Sequence, residues 1–296
     1  MLTLKAAGLL DVDAGEIVRP GIVRIEDNQI VAVGGEPEGD VIDLGDAILL
    51  PGLMDMEVNL LMGGRGENPG LSQVQDDPPT RMLRAVGNAR RTLRAGFTTV
   101  RNLGLFVKTG GYLLDVALGK AIDAGWIEGP RVIPAGHAIT PTGGHLDPTM
   151  FAAFMPGVLE LTVEEGIANG NDEIRKAVRY QIKHGAQLIK VCCSGGVMSL
   201  TGEAGAQHYS DEELRAIVDE AKLRLKNDWQ LLPGGTDGEG AAGWIVLDFL
   251  DAVLHVFTEE ARQRYQLEDL WREAPRLDLP TTQDDVRGHL YGAAHG

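Results

Sequence analysis

Cysteine is nearly absent from this chain: among 296 residues only Cys192 and Cys193 are thiols, and they are adjacent. Two neighbouring cysteines give no loop-closing disulfide framework, which fits a protein that folds in a reducing cytoplasm. Positive charge is scarce as well, with 27 Lys and Arg against 43 Asp and Glu and a formal charge of −16. That balance opposes non-specific binding to DNA or to anionic membranes, whose recognition rests on Lys and Arg, although it leaves room for a local basic patch. Long apolar runs are missing too. None reaches the roughly 18 residues that would suggest a membrane span, and MLTLKAAGLLDVDAG has no basic segment leading into an apolar one, so no secretory leader is expected.

What remains is ordinary for a soluble globular protein: 44% hydrophobic and 24% charged residues. The first 46 residues alternate like β structure. Ile22–Ile25 and Ile30–Val33 flank the turn residues Glu26, Asp27, Asn28 and Gln29, a hairpin pattern, and Val41–Gly45 adds a short strand. The stretch AILLPGLMDMEVNLL, Ala47–Leu61, then predicts a buried strand interrupted by Pro51-Gly52, with Glu57 and Asn59 at i and i+2 on one face.

Beyond it, strands alternate with amphipathic helices. Apolar spacing predicts a helix over about 79–95 stopped by Gly96, a strand at Phe97–Gly104, a helix over 112–124 stopped by Gly125, and a strand at Arg131–Gly136. Asn171 is the expected cap of a helix with Ile174, Val178 and Ile182 on one face, stopped by Gly185. Leu188–Cys193 is the expected fourth strand, and Ser210 with Glu213 forms a capping box ahead of Leu214, Ile217, Val218 and Ala221. Alternation of this kind argues for parallel βα units. Four are countable, against the eight, in about 250 residues, that close a (β/α)8 barrel.

From about Leu225 the character changes. Residues 228–240 form a turn-rich connector, Trp244–Leu250 and Ala252–Phe257 are β-like, and a helix is expected over about 258–271. Residues 275–296 read as a mobile tail. The fold class is therefore α/β: a small β unit (1–46), a partial TIM-type barrel (47–224), a connector (225–243) and a small α+β segment (244–274).

LLPGLMDMEVNLLMGG, RRTLRAGFTTVRNLG, GPRVIPAGHAITPTGGHLD and IKVCCSGGVMS followed by YSDEELRAIVDEA resemble the metal-dependent amidohydrolase superfamily, in its imidazolonepropionase-like and prolidase-like branch. The resemblance covers roughly residues 1–224 and implies a truncated member whose first 46 residues correspond to the family's β-sandwich flank. It also implies hydrolysis of C–N bonds in a small amide or dipeptide by two divalent ions, zinc or manganese, which lower the pKa of a bridging water. The family's first strand carries a histidine pair where this chain has Glu57 and Asn59. Lys190 matches the family's carboxylated lysine, and His145 with Asp147 matches a stretch near the substrate. Asn59 is a weak neutral ligand, and losing two imidazoles removes the nitrogen donors that suit zinc. High-affinity metal binding and activity are therefore not expected. His137, His184 and His208 read as surface or structural histidines, and Cys192 and Cys193 as buried strand residues.

GEGAAGWIVLDFLDAVLHVFTEEARQRYQLEDLWREAPRL resembles the end of the ribosomal silencing factor (Iojap) family, over about residues 239–274. That resemblance implies a non-enzymatic partner of the large ribosomal subunit, with His255, Arg262, Tyr265, Glu268 and Trp271 as candidate contacts, while Trp244 reads as core packing. Two partial folds joined near Leu225 suggest a recombined or assembled chimera, and an open barrel edge predicts pairing with a second copy.

Overall fold

The computed structural model describes residues 1–63, 75–151, 159–196, 200, 202–203, 205–229, 235–237, 244–248 and 253–257. It contains two compact units, Met1–Leu53 and Met54–Gly296.

The first unit holds β1 (Leu2–Ala6), β2 (Gly8–Asp11), β3 (Glu16–Val18), β4 (Gly21–Glu26), β5 (Gln29–Val33), β6 (Asp40–Asp43) and β7 (Ile48–Leu49). They form two sheets, in the orders β5-β4-β1-β6 and β3-β2-β7. The β4–β5 hairpin turns through Asp27 and Asn28, with φ of 46° and 64°. Two successive left-handed residues match the twist of the flanking strands, and Asp and Asn tolerate that region better than most side chains. The short strand expected after Val41 is β6, laid parallel on β1 with Leu4 opposite Ile42.

The second unit begins with β8 (Leu53–Val58), α1 (Pro78–Arg94), β9 (Phe97–Asn102), α2 (Leu114–Asp123) and β10 (Arg131–Pro134). After a 3-10 turn at Pro148–Phe151 come α3 (Gly170–Lys183), α4 (Asp211–Trp229), β11 (Gly235–Asp237), β12 (Trp244–Asp248) and β13 (Val253–Phe257). Strands β8–β10 form one sheet with β9 central, and β9 and β10 are parallel, Val100 facing Val132. Strands β11–β13 form a separate antiparallel sheet.

Helix α1 starts where the sequence demands it. Asp77 Oδ1 accepts the Thr80 N–H at 2.8 Å, and prolines fill the first two helical positions, where a missing N–H costs nothing. Its small residues Ala85 and Ala89 pack on Val100, Leu114, Leu118 and Val132, forming one apolar core over the sheet. A second core joins Ile174, Val178 and Ile182 of α3 to Ala216, Ile217 and Leu225 of α4, with Ile139 and Tyr209. The capping box at α4 forms as expected: Ser210 N–H donates to Glu213 Oε2 at 2.9 Å and Glu213 N–H to Ser210 Oγ at 3.3 Å. Gly185 ends α3 with φ of 114°, a conformation that costs other residues dearly.

Several expectations need correction. The β8 strand is not buried: Leu53 and Met54 are 46% and 60% exposed. It lies at the edge of its sheet, with no strand paired to its outer side among the described residues. It also ends at Val58, so Asn59 leaves the strand and accepts the Met62 N–H in a turn. Leu188–Cys193 does not become a fourth strand. Ile139 N–H donates to Lys190 O and Cys192 N–H to Ile139 O, both at 2.8 Å, and the pairing stops at that isolated bridge. Asn171 does not cap α3, which starts one residue earlier; its side-chain amide instead donates to Glu212 Oε1 at 2.8 Å. Residues 225–229 continue α4 because Leu225 is buried against α3, and β11 forms inside the stretch read as connector. The helix expected over 258–271 and the tail 275–296 lie outside the described residues.

Candidate functional site

The site is built where the ends of β8, β9 and β10 meet the excursion 139–147 and the segment 188–193. Beneath it is a buried polar network. Asp115, fully buried at the start of α2, accepts N–H bonds from Val116 at 2.9 Å, Ala135 at 3.1 Å and Gly136 at 3.0 Å, and the Asn102 amide at 3.3 Å. Asn102 Oδ1 in turn accepts the Leu60 N–H at 2.9 Å. Burial pushes the Asp115 carboxyl up to about 6, against the pull of those donors.

Alongside it, His137 is fully buried. Its backbone N–H donates to Gln181 Oε1 at 2.8 Å, its Nε2 lies 3.0 Å from Thr109 Oγ1, and its Nδ1 has no hydrogen-bond partner among the described residues. Burial lowers its imidazole to about 4, opposed by the Glu165 carboxylate. Glu165 sits in a nest of consecutive backbone donors, Thr109 at 2.6 Å, Gly110 at 2.8 Å and Gly111 at 3.4 Å. Asp115, Asn102, Thr109, Glu165 and Gln181 were not singled out in the sequence. Only Asp115, a lone acid within the apolar run LLDVAL, left a trace there.

The expected site residues fall into two groups. His145, Lys190 and Glu57 are linked electrostatically, through Cys192, which was not expected as a site residue. Burial lowers the His145 imidazole below the usual histidine range, and Lys190 and His208 lower it further. Burial raises the Cys192 thiol to about 11, Lys190 pulls it down, and Cys193 and Glu57 push it up. A thiol held that high is no nucleophile at neutral pH. The His145 ring lies against Gly196, where an added Cβ would come within 2.3 Å of it, and the His145 backbone N–H donates to His208 Nδ1 at 3.3 Å.

Asn59 stands apart. It lines a water-sized cavity of about 10 Å³ with Arg81, Asn102, Gly104 and Leu105. Asp147, buried, spends its carboxylate on its own loop, accepting Gly143 N–H at 2.8 Å, Thr149 N–H at 3.0 Å and Thr149 Oγ–H at 2.7 Å. Glu57 and Asn59 are both exposed. Among the described residues, no group of three His, Cys, Asp or Glu side chains is placed to hold a metal ion. The donors at the expected positions, a carboxylate, a neutral amide and an amine, do not fit the family's metal pair. His137 is fully buried and His184 is exposed. Of the C-terminal candidates, His255 lies in β13 opposite Val246, while Arg262, Tyr265, Glu268 and Trp271 lie outside the described residues, as does the side chain of Trp244. No described helix is long and apolar enough to cross a membrane.

Comparison with known proteins finds two groups of relatives. The family described as "Ribosomal silencing factor during starvation" matches residues 206–293, a longer span than the motif at 239–274 suggested. Ochratoxinase of Aspergillus niger is 34% identical over 241 residues, covering 74% of this chain and 48% of its own length. Ribosomal silencing factor RsfS of Bacillus subtilis is 38% identical over 71 residues, 24% of this chain and 58% of that protein. A crystal structure of a Xaa-Pro dipeptidase with bound methionine superposes with a TM-score of 0.65 at 31% identity, over 75% of this chain and 54% of that one. The chain spans about half the length of the curated relatives it matches. It is homologous to ochratoxinase and prolidase-like amidohydrolases over about three quarters of its length, and to ribosomal silencing factors at its C-terminal end.

Proposed function

We propose, with amidohydrolase homology over three quarters of the chain as premise, that this part keeps the scaffold of a C–N bond hydrolase, a partial TIM-type barrel, without its catalytic centre. One observation carries the reading. By the resemblance of LLPGLMDMEVNLL, Glu57 and Asn59 stand where the family has its histidine pair, and no three-ligand group accompanies them among the described residues. Lys190 then acts as an uncarboxylated cation beside His145, and no hydrolytic step is derived through a metal. Incubation with a panel of dipeptides and N-acyl amino acids, with and without added zinc or manganese, is expected to give no turnover above the blank. Metal-dependent turnover by the unaltered chain would overturn the reading. The variant Glu57→His with Asn59→His is expected to stay inactive, because two imidazoles alone do not rebuild a binuclear site.

The match over 206–293 favours a second activity, association with the large ribosomal subunit through the C-terminal segment. His255, Arg262, Tyr265, Glu268 and Trp271 are the proposed contacts; aromatic and Arg side chains carry most binding energy in such interfaces. The chain should co-sediment with large subunits, and Tyr265→Ala with Trp271→Ala should abolish it. The same reading places the chain in the cytoplasm and treats it as a junction of two unrelated parts. It also leaves the β8 edge open to a second copy.

A further inference from the structure

Helix α4 is claimed twice. All of Asp211–Trp229 lies within 206–293, the span matched by the silencing factor family, and the same span takes in β11, β12 and β13. Here α4 is docked elsewhere. Ala216, Ile217 and Leu225 are buried in one core with Ile174, Val178 and Ile182 of α3. Glu220, 5% exposed, clamps the contact: it accepts Arg179 Nε at 2.7 Å and Nη2 at 3.0 Å, and Arg224 Nε at 2.9 Å. Asp211, Glu212, Arg215 and Asp219 are exposed and Leu223 is half exposed, so the stripe committed to α3 is that of Ala216, Ile217 and Leu225. A single stripe can be buried against only one partner at a time.

We propose that docking of α4 on α3 is an internal brake: it withholds this helix from the silencing-factor-like segment, so the hydrolase-like part limits binding to large ribosomal subunits. The partner rests on the ribosome reading above, whereas the competition for α4 rests on the packing. A partner that needs α4 released meets only the released fraction of the molecules, and its apparent affinity falls by that fraction.

Arg179 lies outside the matched span, so changing it leaves the silencing-factor-like sequence intact. In the full chain, Arg179→Glu sets two carboxylates against each other and is expected to raise affinity for large subunits in co-sedimentation by about fivefold, the upper range for one partly exposed ion pair. Arg179→Lys keeps the charge and should stay at the unaltered level. Hydrogen exchange without ribosomes gives an independent readout: in Arg179→Glu, protection should fall in α3 and rise in β12 and β13. Unchanged or weaker subunit binding by Arg179→Glu would overturn the brake, as would loss of protection in α3 and α4 with none gained in β12 and β13. If no form of the chain co-sediments, the ribosome reading fails and exchange alone decides the competition. Should Arg179→Glu lose its cooperative thermal transition, Arg179→Ala, which removes the ion pair without setting two carboxylates together, is the milder variant, read in the same way.

Discussion

Asn102 donates its side-chain amide to Asp115 at 3.3 Å in an interior where the two are 1% and 0% exposed. Through this pair the ends of three strands are joined: Leu60 beyond β8 bonds to Asn102, and Ala135 and Gly136 beyond β10 bond to Asp115. Glu57 and Asn59 flank the first of those ends and His145 follows the third, so the pair bears on their placement without touching a ligand itself.

Truncating Asp115 to Ala would strand three buried donors at once, the Val116 and Gly136 N–H groups and the Asn102 amide, while Ala135 N–H keeps the Asn102 carbonyl at 3.2 Å. A buried donor left unsatisfied costs about 1–3 kcal/mol, and partial relaxation keeps the total to about 3–5 kcal/mol. Chemical denaturation of Asp115→Ala should register that loss, with Asp115→Asn intermediate because one oxygen still accepts.

The pH dependence of stability should show two opposed contributions. Asp115 rises from 3.8 to about 6 on folding, so its ionisation works against the fold above pH 6 and stability is gained as the pH falls toward 4. His137 falls from 6.5 to about 4, so the stability of its neutral form is complete above pH 6.5 and is lost over that same fall. Each is worth about 3 kcal/mol at most, and they nearly cancel. Asp115→Asn removes the gain. Its Tm should therefore drop more steeply between pH 7 and pH 5 than that of the unaltered chain, and parallel curves would refute the assignment.

Gly104, just beyond β9, has φ of +78°, and a Cβ there would come within 2.7 Å of the Ala138 Cβ. Gly104→Ala thus combines left-handed strain with a clash at the segment carrying His137. Thermal and denaturant unfolding should show a cost of about 2–4 kcal/mol.

Local chemistry made much of the fold legible. The Asp27-Asn28 turn, the Ser210–Glu213 box and the glycine stop at Gly185 each act within a few residues, so sequence alone locates them. Leu188–Cys193 has the apolar, β-branched composition of a strand, but strand formation depends on a neighbour to pair with, and among the described residues only Ile139 offers one. Glu57 and Asn59 looked like a same-face pair because period-two reasoning assumes the strand continues, and it ends between them. The Asp115–Asn102 link was hidden because its partners are backbone groups distant in sequence, which carry no residue signature.

The central claim is that the hydrolase-like scaffold persists without a metal centre. Titration of zinc, and separately manganese, into the purified full chain, followed by calorimetry and by elemental analysis after gel filtration, tests it most directly. The account expects no saturable binding at micromolar concentrations and far less than one ion retained per chain. Retention of two ions per chain, lost on Lys190→Ala, would contradict it.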